Sequence, residues 1–148
     1  MRKLLAVAVL ALFASPLLAA ECATTIEGND MMQFNLKTIT VPKSCTSFEV
    51  TLKHVGKLPV TAMGHNWVLS KASDENGVVM DGAKAGAAAG YEKPGDTRII
   101  AATTLIGGGE TASTKIDVAK LAAGEKYAYF CTFPGHATMM KGTLTLGE

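Results

Sequence analysis

EKYAYFCTFPGHATMMKGTLTL, residues 125–146, decides how the chain folds. Its first seven residues alternate, with aromatics on one side of the alternation, as a strand with one buried face does. Its last four, Thr143–Leu146, read as a second strand. Between them lies CTFPGHATMM (131–140), which gathers one cysteine, one histidine and two methionines in ten residues. Pro134 fixes its own φ and Gly135 adds conformational freedom, so this segment is a bend between two strands.

The same short-strand signal extends towards the N-terminus. Phe34–Val41 and Phe48–Val55 are rich in β-branched and apolar residues. Asn66–Ser70, Arg98–Ile106 and Thr111–Val118 read as further strands, separated by turns containing Gly or Pro. Short strands at this spacing predict an antiparallel β-sandwich or a Greek-key barrel. One stretch breaks the rhythm: SDENGVVMDGAKAGAAAGYEKPGD (73–96) has no alternation. Ser73 or Asp74 is placed to cap a short helix starting near Asp74, and Gly77 and Gly82 weaken it. The expectation is a helical insertion and a Gly/Ala-rich loop outside the sandwich, with no repeat and no second domain.

The N-terminus reads as a targeting segment. Arg2 and Lys3 precede the apolar run LLAVAVLALFA (4–14), Ser15 and Pro16 end it, and Ala19 and Ala20 offer cleavage sites. This is the layout of a cleaved secretory signal, and the run is too short for a membrane anchor. Cleavage after Ala19 divides the chain into a signal peptide (1–19) and one domain (20–148), a size that suits a single core. Removing Arg2 and Lys3 turns the formal charge of +1 into −1. Nucleic-acid binding, which needs a basic footprint, is therefore not expected. No other run approaches transmembrane length, so membrane insertion is not expected either. The expected location is a bacterial periplasm.

Export changes the cysteine arithmetic, because cysteines tend to pair in an oxidising compartment. Cys22, Cys45 and Cys131 are an odd number. One disulfide plus a free cysteine, or an intermolecular bridge, would satisfy that count. The pairing Cys22–Cys45 leaves Cys131 free and staples the N-terminal strand. Closing a loop of about 24 residues is worth roughly 3 kcal/mol on the chain-entropy account.

A thiolate, imidazoles and a thioether form a soft donor set suited to copper. Cys131, His136 and Met140 can converge from one loop, with Met139 as the rival thioether. A remote anchor is needed, and only His54 and His65 remain. His54 sits inside a strand-like run and reads as structural. His65 lies at the mouth of a strand beside Gly64 and is the better-placed ligand. The set His65, Cys131, His136 and Met140 has the composition of a blue-copper electron-transfer site.

Three stretches carry a resemblance: ECATTIEGNDMMQFN (21–35), MGHNWVLS (63–70) and CTFPGHATMMKGTLTL (131–146). On these the chain resembles the azurin branch of the cupredoxins, the type 1 blue copper proteins, over essentially all of residues 20–148. The resemblance extends to the helical insertion and the Cys22/Cys45 pair. It implies an all-β, eight-stranded Greek-key sandwich holding one copper ion that cycles between Cu(II) and Cu(I). It implies Met140 rather than Met139 as axial ligand, with the Gly64 carbonyl on the opposite axial side. Asn66 would tie the two ligand-bearing loops together, and the Phe133 N–H is expected to donate to the Cys131 sulfur. Met32, Leu58, Met63, Phe133 and Pro134 would form an apolar docking patch around His136. Ala62, Ala83 and Thr138 stand at patch positions that other members fill differently.

The function expected is periplasmic electron transfer between redox proteins, such as a c-type cytochrome and a reductase or dehydrogenase, by a monomer that is not an enzyme. A Cys–His hydrolase with Cys131 as nucleophile would need an orienting third residue, and none is evident. A copper carrier would favour exposed, exchangeable sites. A structural zinc site would make poor use of a methionine. Met31, Met32, Met63 and Met80 read as ordinary apolar residues, Met139 as packing and Trp67 as a core aromatic.

Overall fold

The computed structural model describes residues 21–147. The signal-peptide reading of residues 1–19 lies outside the described residues. Among the described residues nine strands form two sheets: β1 (Ala23–Asn29), β2 (Gln33–Phe34), β3 (Thr38–Val41), β4 (Ser47–His54), β5 (Val68–Lys71), β6 (Ala101–Ala102), β7 (Thr111–Asp117), β8 (Tyr127–Phe130) and β9 (Lys141–Leu146). The sheet orders are β2-β1-β4-β7 and β3-β9-β8-β5-β6. The fold class is the β-sandwich read from the sequence, with nine strands rather than eight. Two are only two residues long.

The alternation of β4 shows why the layers pack. Phe48, Val50, Leu52 and His54 point inward while Ser47 and Lys53 face water. Together with Ile26, Trp67, Leu69, Tyr127, Tyr129 and Leu144 they fill the space between the sheets. All four residues of β8 are buried, because its outer face is covered as well. Val78 of the helix α2 (Glu75–Ala85) joins Val68, Ala128 and Phe130 in a second, smaller core. A four-residue helix, α1 (Val60–Met63), precedes the segment bearing His65.

Four sequence expectations are corrected. Phe34–Val41 is two strands in different sheets. Asn35 is bound to Glu27 through both its N–H (3.0 Å) and its Oδ1 (2.8 Å), which closes the pairing with β1 before the chain crosses over. Arg98–Ile106 is not a continuous strand. It follows β5 through isolated bonds, Ile100 N–H to Leu69 O, Thr103 N–H to Trp67 O and Ile106 N–H to His65 O, with only Ala101–Ala102 in regular ladder. The sandwich is not purely antiparallel: β1 runs parallel to β4, and β3 to β9. Asp74 stands at the N-cap of α2 without a side-chain cap bond.

The strand ends converge on one edge. Gly28 is level with His54, Val68 with Phe130, and Phe130 with Lys141. The end of β1, the end of β4, the lead-in to β5 and the β8–β9 loop therefore meet at the same end of the sandwich.

Candidate metal centre

The loop after β8 is closed at both ends. Cys131 N–H donates to Met140 O at 3.0 Å and Met140 N–H to His136 O at 2.8 Å. Gly135 has φ of 83°, a conformation glycine adopts without penalty, and it starts a short 3-10 turn over His136–Thr138. His65 is pinned separately by reciprocal backbone bonds with Ile106, 2.9 and 2.8 Å. The result is three buried donors, His65, Cys131 and His136, whose ligand atoms lie within 4.8 Å of one another. Cys131 Sγ is 3.6 Å from His136 Nδ1 and 3.8 Å from Gly64 O.

Met140 is fully buried and Met139 is 52 % exposed, so Met139 turns to solvent rather than packing inside. Gly28 explains how Met140 and His65 come so close. A Cβ at Gly28 would lie 2.7 Å from Met140 Cε and 2.8 Å from His65 Cδ2. Gly64 is equally constrained, since a Cβ there would meet Val60 O at 2.6 Å and Phe133 Cδ2 at 3.0 Å.

Electrostatics prepare these groups differently. Burial pushes the Cys131 thiol up to about 12, while the N–H groups of Asn66 and Phe133 act in the opposite sense. Burial, with the neighbouring His65 and His54, holds His136 down at about 4. Burial also lowers His65. Near neutral pH both rings are thus neutral, with a lone pair to offer a metal, while the thiol must give up its proton to bind one.

His65 supplies a test of fit. Its Nε2 lies 2.9 Å from Asn29 O and its Nδ1 2.9 Å from Gly64 O. A neutral imidazole carries one N–H, and both neighbours are acceptors only. If Nε2 donates to Asn29, the Nδ1 lone pair faces an oxygen; a cation at Nδ1 removes that mismatch. The donor set and this geometry both fit a soft cation.

Surrounding groups fix the segments that carry these donors. Asn66, fully buried, accepts the Thr132 N–H on Oδ1 at 2.8 Å and donates from Nδ2 to Thr132 Oγ1 at 2.7 Å. Its Nδ2 also faces Glu92 Oε1 at 3.0 Å. His54 stacks on His65, centroids 4.1 Å apart and planes 11° apart. Its Nδ1 accepts from Gly56 N–H and its Nε2 donates to Met63 O. The His136 ring packs on Phe133 at 4.6 Å. Of the patch residues, Leu58 and Pro134 are exposed, and Met32, Met63 and Phe133 are half-buried.

Sequence reasoning missed Gly28, Asn29, Glu92 and the stacking of His54. Gly28 alone left a signal: a glycine inside a strand marks a close approach. Asn29 acts through its main chain and Glu92 through a distant loop, and neither leaves a pattern.

A β-sandwich presenting a buried thiol, two neutral imidazoles and a buried thioether at one edge defines a soft-metal protein of the copper class. Residues 20–147 match the family described as copper binding proteins, plastocyanin/azurin family. The chain is 59 % identical to azurin of Pseudomonas aeruginosa over 146 residues, 99 % of each chain. It is 61 % identical to azurin of Achromobacter denitrificans over 133 residues, 90 % of this chain and 89 % of the other. Among solved structures, the azurin Az-iso2 of the methylotroph Methylomonas sp. strain J superposes with a TM-score of 0.84 at 49 % identity, covering 87 % of this chain and all of that one. The chain belongs to the plastocyanin/azurin family, and its cofactor is one copper ion.

Proposed function

We propose that His65, Cys131 and His136 would hold the copper of this blue copper electron-transfer protein, with the Met140 thioether and the Gly64 carbonyl as weaker ligands. The observation that carries the ligand set is the cluster of three buried donors within 4.8 Å, drawn from two separate segments. Bound copper supplies a one-electron Cu(II)/Cu(I) couple, and no substrate bond is made or broken. The protein's part is to hold mixed soft and borderline donors rigidly, so that neither oxidation state demands much rearrangement. Asn29 orients His65, Asn66 joins the two ligand segments, and the surrounding core excludes water.

Met32, Leu58, Met63, Phe133 and Pro134 form the docking patch in this reading. A small apolar surface suits a brief encounter. The partners are redox proteins, such as a c-type cytochrome and a reductase or dehydrogenase, and the chain works as a monomer that carries electrons without catalysing a reaction. The expected compartment is the periplasm, supported by the sequence of residues 1–19 and by a disulfide between Cys22 and Cys45. Among the described residues no helix is long and apolar enough to cross a membrane.

The test is a visible absorption titration of the purified protein with Cu(II), followed by ascorbate. An intense blue band that saturates at one copper per chain and bleaches on reduction is expected. Cys131→Ser should abolish the band and leave the fold intact. A colourless protein with a free thiol and a native fold would overturn the assignment.

A further inference from the structure

The helical insertion sends one carboxylate into the neighbourhood of the metal-binding loops. Glu92 follows α2 and the 3-10 turn Ala87–Ala89, and its Oε1 accepts from Asn66 Nδ2 at 3.0 Å. Asn66 is the buried clamp whose Oδ1 holds the N–H of Thr132, the residue next to Cys131. The backbone N–H of Asn66 also acts on the Cys131 sulfur. A polar path thus runs from Glu92 through the Asn66 side chain to the backbone N–H of Thr132, next to Cys131. Hydrogen-bonded groups in such a path polarise one another.

We propose that Glu92 is a positioning residue of the copper centre, locking Asn66 between the two ligand segments and placing a negative charge that lowers the reduction potential. This rests on the copper reading above. The sign follows from electrostatics: a nearby anion stabilises the more positive oxidised site over the reduced one. A glutamine would satisfy Asn66 equally well, so a carboxylate adds charge without adding a bond.

Among the described residues no charged partner neutralises that charge. Burial raises the Glu92 carboxyl above its ordinary value, opposed by the Asn66 bond alone. Neighbouring charges are committed elsewhere. Lys93 Nζ lies 3.5 Å from Asp81, and Asp96 is bound by Arg98 at 2.6 Å. On the metal side the titratable groups are His54, His65, Cys131 and His136. Glu92 borders two open surface clefts of about 440 and 340 Å³, one walled by Thr103, Thr104 and Leu105 and the other by Pro94 and Ile99. Protons therefore reach it from solvent without crossing the core. Protonation removes the charge, so the potential rises as pH falls.

The experiment compares the copper-loaded parent with Glu92→Gln by voltammetry across pH, alongside visible spectra. The variant is expected to keep the blue band and show a higher potential near neutral pH. The two curves should converge at acid pH, where the parent carboxyl is protonated. Every other ionisable group is the same in both proteins, so the difference between the curves isolates Glu92. Superimposable curves would overturn the proposal. A metal-free readout separates it from the copper assignment: the Glu92 side-chain carbonyl, followed by NMR, should titrate above the ordinary glutamate value of 4.5. A Glu92 carboxyl that stays protonated at neutral pH would also overturn it, whereas a colourless parent would count against the copper reading instead.

Discussion

Gly28 lies in β1 and ligates nothing, yet the site depends on what it lacks. Its missing Cβ leaves room for both Met140 Cε and His65 Cδ2. His65 cannot retreat easily, because it is held by Asn29 and Ile106 and stacked on His54, whereas Met140 meets the added methyl with only its flexible Cε end. Gly28→Ala is therefore expected to displace the His65 or Met140 side chain, shift the visible band and cost about 1–3 kcal/mol, the usual range for overpacking. Urea unfolding and the absorption spectrum of the copper-loaded variant check this. An unchanged spectrum would mean that the loop absorbs the methyl group elsewhere. Trp67 shows the opposite economy: its ring is fully buried and stacked on Tyr129 at 5.6 Å, while its Nε1–H has no partner among the described residues. The spacing of Cys131, His136 and Met140 was legible because one loop carries all three. Glu92 was not, since its place depends on how a 24-residue insertion folds back, which no periodicity records.

At the scale of elements, the insertion is held by charge as well as by Val78. Arg98 reaches Asp81 of α2 at 2.8 Å and Asp96 at 2.6 Å, and Gly77 gives it room. The guanidinium holds Asp96 down at about 2, below its ordinary 3.8. A depressed carboxyl contributes stability above its unfolded value, and that contribution drains away as pH falls from about 3.8 towards 2. Arg98→Gln should therefore be less stable than the parent at neutral pH, with the gap closing in acid. Urea midpoints of both proteins between pH 6 and pH 2 check this; a constant gap would assign the loss to packing. The Gly-weakened helix was legible from the broken alternation of residues 73–96. Its outer-face docking on β8 was not, although the four consecutive buried residues Tyr127–Phe130 are its consequence. The split of Phe34–Val41 was hidden too, because Phe34 and Ile39 both enter the common core and so keep the apolar pattern running across the crossover.

Across the whole molecule, stability and chemistry sit at opposite ends of the same strands. β1 and β4 run parallel, from Ala23 beside Glu49 to Gly28 beside His54. A parallel pair cannot be joined by a tight turn, so the chain makes a long crossover between them. The Cys22–Cys45 disulfide ties the starts of both strands. Their far ends supply the Asn29 carbonyl that orients His65 and the His54 ring that stacks on it. Seven residues of strand separate Cys22 from the metal centre. At about 3.3 Å per residue that is roughly 20 Å. The disulfide restricts the unfolded chain more than it shapes the site. Replacing both cysteines, Cys22→Ala with Cys45→Ala, should lower stability by about 2–4 kcal/mol and reduce the thermal midpoint. The blue band of the folded, copper-loaded variant should be unchanged, because the core between the two ends is close-packed and the strand pairing survives without the bridge. Calorimetry and absorption on the same sample separate the two effects. A shifted band would show that the register of β1 against β4, and with it the position of His65, depends on the staple.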